Sequence, residues 1–120
     1  MLAECQGVGW RAWVHGIKLS DMGKLVRDLI PDIIEQSGRV PRTRQLDPHE
    51  FELALAEKLV EEADEFRRAG RNERPEELAD VFEVVSCLAS SLGLTMADVA
   101  ALAADKRERR GGFVDRIWLE

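Results

Sequence analysis

Apolar positions recur along this chain at three- and four-residue spacing in four separate stretches, the pattern of helices that each bury one face. Val26, Ile30, Ile33 and Ile34 carry the first, which opens at Lys24 and stops at Gly38. Pro31 has no N–H to give, so it must stand in the first turn of that helix or near its start. Residues 39–46 hold Pro41 and no helical period, and read as extended. Asp47-Pro48-His49-Glu50 then announces a second helix, with an N-cap acid, Pro at the first helical position and Glu at the third. It runs to about Ala69, ahead of Gly70. A polar loop, Arg71 to Arg74, leads into a third helix from Pro75 to Leu92, with Gly93 just beyond. Thr95 and Asp98 make a second capping pair for a fourth helix, which Gly111-Gly112 ends. The tail from Phe113 to Glu120 is too short for another helix and could pair with residues 39–46 as a small two-stranded ribbon. The fold class predicted is an all-α bundle of about four helices.

Residues 1–21 break this pattern: Trp10, Trp13, His15 and three glycines follow no sustained period. They read as an N-terminal extension to a domain spanning 22–120, and Met22 would make a sensible start codon.

Within the helices, certain acids stand where apolar residues are expected. Phe51, Leu55, Leu59 and Phe66 form one stripe of the second helix at about 100° per residue. Glu62 lies in the middle of that stripe and Glu65 on its edge, whereas Glu57 and Glu61 fall toward the outer face. On the third helix Leu78, Val81, Phe82, Val84, Val85, Cys87, Leu88, Ala89 and Leu92 cover well over half the circumference. Glu76, Glu83, Ser86 and Ser90 take the narrow polar side, but Glu77 and Asp80 are in line with Val84, Cys87 and Leu88. Two antiparallel helices carrying such pairs would gather four carboxylates. Clustered, half-buried charge is costly unless a cation neutralises it. Hard divalent ions fit best, because Mg²⁺ takes oxygen ligands and keeps waters for a phosphate substrate. A di-iron centre would want Glu-x-x-His pairs, and neither His15 nor His49 follows a Glu by three.

The fourth helix inverts the sign. Val99 and Ala103 mark its inward stripe, Lys106 and Arg110 continue it, and Arg109 flanks them. Bases beside a carboxylate cluster are what a polyphosphate requires, although cations in a last turn also suit the helix dipole. Lys24, Arg27 and Lys58 are further candidates, and Lys58 could simply pair with Glu62, four residues on. Cys87 reads as a small apolar filler, and no Gly-rich phosphate loop is present.

Composition narrows the partners. A net charge of −6 and a pI near 5.0 oppose approach to nucleic acid or an anionic membrane. No apolar run approaches the roughly 20 residues of a membrane span. Cys5 and Cys87 make no disulfide framework or metal motif. No export signal is visible at the N-terminus, so a cytoplasmic setting is expected.

Taken together, Glu61-Glu62-Ala63-Asp64-Glu65 and Glu77-Leu78-Ala79-Asp80 resemble the EExxE…ExxD signature of the all-α nucleoside triphosphate pyrophosphohydrolases, the MazG-like superfamily. The segments KLVRDLIPDII (24–34), KLVEEADEF (58–66), EELADVFEVV (76–85) and KRERRGGF (106–113) are similar to one branch of it, the phosphoribosyl-ATP pyrophosphohydrolase-like house-cleaning enzymes. The likeness runs in order from Lys24 to the C-terminus. It implies a MazG-like helical bundle assembled as a homodimer or higher oligomer. It implies Mg²⁺, with Mn²⁺ as a substitute, held by Glu62, Glu65, Glu77 and Asp80, and hydrolysis of a nucleoside triphosphate to monophosphate and pyrophosphate. Glu61 would then be an acid just outside the metal ligands or a base that orients water. Lys106, Arg109 and Arg110 would meet phosphate oxygens, and Lys24 and Arg27 would contact phosphate or a second subunit. Two alternatives stand beside this: hydrolysis of phosphoribosyl-ATP in histidine biosynthesis, and a non-catalytic helical oligomerisation module.

Overall fold

The computed structural model describes residues 23–120 together with two short strands, β1 (Trp13–Val14) and β2 (Ile17–Lys18), which pair antiparallel. The rest of the 1–21 extension lies outside the described residues. Four helices follow: α1 (Ile30–Gln36), α2 (Pro48–Arg68), α3 (Arg74–Ser91) and α4 (Met96–Arg110).

Local chemistry explains where each begins. α1 starts at Ile30 rather than Lys24, leaving 24–29 non-helical, and this places Pro31 in the first turn, where its missing N–H costs no helical hydrogen bond. At α2 the Asp47 carboxylate accepts from the Glu50 N–H at 2.8 Å, and Glu50 accepts from the Asp47 N–H at 3.1 Å, which closes the capping box. Arg44 donates to both Glu50 oxygens at 3.3 Å and so ties the extended segment to the helix it precedes. α4 opens on the same device: the Thr95 hydroxyl accepts from the Asp98 N–H, and Asp98 accepts from the Thr95 N–H. Gly111, at φ 82°, ends α4 in a conformation that a side chain disfavours.

α2 and α3 pack against each other as an antiparallel hairpin, and this pair is the body of the fold. The turn between them is clamped by Arg74, which lies 5.1 Å from the centre of the Phe66 ring and donates to the Arg67 carbonyl at 3.2 Å. Among the described residues the buried apolar ones are Leu55 on α2 with Val84 and Ala89 on α3. Leu78 and Phe82 remain exposed, because α3 is apolar over more than half its girth and α2 covers only one side of it. α4 turns 101° away from α3 and touches it only near the bend, so residues 100–120 are exposed throughout.

The ribbon between residues 39–46 and 113–119 does not form. Pro41 removes a ladder donor from the first segment. The second folds onto itself, with the Arg116 N–H donating to the Phe113 carbonyl at 3.2 Å. Among the described residues no single helix is long and apolar enough to cross a membrane.

Candidate metal and phosphate site

The α2–α3 hairpin folds the acids together by simple register. Glu62 stands nine residues before Arg71 and Asp80 nine after it, while Glu65 and Glu77 stand six before and six after. In an antiparallel helix pair centred on that turn, each acid faces its counterpart. The turn also sets the local field. Glu76 and Glu77 occupy the first turn of α3, where backbone N–H groups favour negative charge, and Arg67 and Arg68 occupy the last turn of α2.

Glu62, Glu77 and Asp80 each offer one carboxylate oxygen within 4.8 Å of the other two, and all three side chains are half-buried. Glu65 does not join that trio, but its charge is near enough to push the pKa of both Glu62 and Glu77 upward. Burial is the main cause that raises Glu62; Asp80, Glu61 and Glu65 add to it and Lys58 opposes them. Glu77 is raised first by desolvation and then by Asp80, Glu65 and Glu76. These are carboxylates crowded by one another and short of positive charge.

Two bases reach the cluster. Lys58, 19% exposed, stands 3.3 Å from Glu61 and 3.6 Å from Glu62, as the four-residue spacing predicts. Arg27, from the non-helical segment before α1, donates to Asp80 Oδ1 at 2.7 Å. The other basic candidates do not come to these acids within one chain. Lys24 is exposed, and Lys106, Arg109 and Arg110 lie on the exposed end of α4, where Arg109 pairs with Asp105 at 3.0 Å.

One feature of the seam carries no signal along the sequence. At the opposite end of the α2–α3 hairpin an apolar groove of about 390 Å³ is lined by Leu46, Pro48, Phe51, Cys87, Ser90 and Ser91. Cys87 is therefore a rim residue rather than core filler, with Sγ 4.0 Å from Glu83 Oε2. The groove brings together Phe51 and Ser91, forty positions apart in the chain.

The donor set suits a hard divalent cation. Neighbouring oxygens around octahedral Mg²⁺ stand about 3 Å apart, a spacing that three carboxylate oxygens within 4.8 Å of one another reach by rotation of their side chains. All-oxygen ligation with two raised pKa values matches a site that exchanges protons for metal.

A family model described as the MazG nucleotide pyrophosphohydrolase domain matches residues 50–113, the segment from the start of α2 to just past α4. A Mycolicibacterium smegmatis protein described as uncharacterized is 50% identical over 48 residues, which is 40% of this chain and 49% of that protein. The matched stretch thus spans about half the length of that relative. No solved structure matches the chain.

Proposed function

Because this chain belongs to the family of MazG nucleotide pyrophosphohydrolase domains, we propose that it hydrolyses a nucleoside triphosphate to the monophosphate and pyrophosphate. Glu62, Glu77 and Asp80 hold Mg²⁺ in this reading, with Glu65 beside them. The observation that carries it is the convergence of those three carboxylates on the seam of a chain that matches this family.

Bound there, Mg²⁺ would neutralise phosphate oxygens and ease departure of the pyrophosphate. The protein's own groups divide the remaining work. Glu61, one residue from Glu62 and held by Lys58 at 3.3 Å, orients the attacking water and accepts its proton. Arg27 is the nearest base on the open side of the cluster and meets the phosphates.

The reading extends to a homodimer or higher oligomer. Its support is the small core, with three apolar residues buried among the described residues, set against Leu78, Phe82, Phe113, Ile117 and Trp118 in the open. Lys106, Arg109 and Arg110, exposed on α4, reach phosphates in this reading from a second copy. The setting is the cytoplasm and the substrate a free nucleotide of the house-cleaning kind; a net charge of −6 disfavours nucleic acid and anionic membranes as partners.

The test is a panel of ordinary, damaged and phosphoribosylated nucleotides with Mg²⁺, following pyrophosphate release. Turnover of a nucleoside triphosphate that stops with chelator is the expected result. Preference for phosphoribosyl-ATP would transfer the reading to histidine biosynthesis. No release from any nucleotide, with no Mg²⁺-dependent thermal shift, would leave a helical oligomerisation module.

A further inference from the structure

We propose that Arg27 is a resident counter-ion of the acid cluster, which an incoming metal ion displaces from Asp80 and which then turns to the phosphates of the substrate. This rests on the metal-dependent reading above and gives Arg27 a role in it.

The geometry separates the two cations of the site. Lys58 is on the inner side, 19% exposed, and committed to Glu61 and Glu62 along its own helix. Arg27 comes from a different part of the chain, 53 residues before Asp80, on a backbone segment that is not helical. Its side chain is 59% exposed, so it closes the cluster on the face that opens to solvent. Among the described residues its carboxylate partner is Asp80, one of the three that offer a converging oxygen. The fields of Glu83 and Glu62 also favour its charge, so it answers to the cluster as a whole.

A divalent ion and a guanidinium compete for this position. The 2.7 Å hydrogen bond engages Asp80 Oδ1, and a second positive centre a few ångströms away would be repelled by the first. The Arg27–Asp80 contact therefore opposes metal binding, and metal binding weakens that contact. An exposed pair of this kind is weak, so the competition tunes affinity without blocking it. Once released, the guanidinium is a planar fork at the solvent face, where the phosphates of a nucleotide would enter, and phosphate is the partner that fork suits best. Substrate thus removes the competitor of the metal. By linkage, metal and polyphosphate each strengthen the binding of the other through Arg27.

The experiment uses the full chain and the variants Arg27→Gln and Arg27→Lys, with circular dichroism to verify retained helix. Mn²⁺ binding is measured without nucleotide by electron paramagnetic resonance, and inorganic pyrophosphate binding is then measured in the presence of Mn²⁺. Arg27→Gln should bind Mn²⁺ about two- to fivefold more tightly. It should bind pyrophosphate more weakly, by about tenfold, the loss of one charge-assisted contact. Arg27→Lys should keep the competition with Mn²⁺ and lose part of the pyrophosphate affinity. Equal or weaker Mn²⁺ binding by Arg27→Gln, in a wild type that binds Mn²⁺ and turns over, overturns the role of Arg27 alone. A wild type that neither binds Mn²⁺ nor releases pyrophosphate from any nucleotide overturns the functional reading and this inference with it.

Discussion

The Lys58 ammonium stands 3.6 Å from the Glu62 carboxylate one helical turn away, and it is the largest influence that lowers a pKa which burial and three neighbouring acids raise. The sign of its effect on stability follows. A carboxyl whose folded pKa lies above its unfolded value gives stability that is complete below the ordinary carboxyl value of 4.5 and is lost as pH rises through the folded pKa. In chelator, Glu62→Gln should therefore melt near the wild type at pH 4 and above it at pH 7, since the buried charge is gone. Lys58→Met should do the reverse, matching the wild type at pH 4 and falling below it toward neutrality. Melting temperature against pH for the three proteins decides the matter, and parallel curves would show that Glu62 carries no raised pKa.

Glu65 separates the reading of the sequence from the geometry. The motif offers four ligands, but three carboxylates converge and Glu65 acts on them through its charge. Loss of a converging acid by Glu62→Gln or Asp80→Asn should abolish Mg²⁺-dependent turnover while the helical signal persists. Glu65→Gln should cost about 10- to 100-fold, the usual effect of a group that supports ligands without being one. Pyrophosphate release at saturating Mg²⁺ measures all three, and a Glu65 variant as dead as the others would restore it to the ligand set.

Much of this molecule is legible along the chain because its signals are local. Capping boxes at Asp47 and Thr95 act over three residues, and the structure contains both. Glu62 and Asp80 stand out because an acid inside an apolar stripe violates the period of its own helix. What is not legible depends on contacts between distant segments. Arg27 reaches Asp80 only because the non-helical segment before α1 runs past α3, and no period in 24–34 signals that. The ribbon expected from two extended segments fails for a related reason: extension says nothing about proximity. The apolar face of α3 was readable, but which half of it α2 covers was not, and Leu78 and Phe82 stand on the uncovered half.

That uncovered surface yields the last prediction. Phe113 is 96% exposed and Trp118 84%, at either end of a tail whose Val114, Ile117 and Leu119 are open as well. Among the described residues three apolar side chains are buried while this tail stands open, a small core of the kind that assembly would enlarge. A second copy is the partner that can repay this symmetrically, since a two-fold pair would cover both tails with one kind of contact. Wild-type protein at micromolar concentration should scatter light as a dimer or larger. Phe113→Ser and Trp118→Ser should each weaken assembly by several hundredfold, the roughly 2 kcal/mol of an aromatic anchor at an interface counted on both chains. Light scattering across a dilution series reads this directly. A wild type that is monomeric at every concentration, with an unchanged melting temperature in both variants, would mean that the tail covers nothing and that the homo-oligomer must be abandoned.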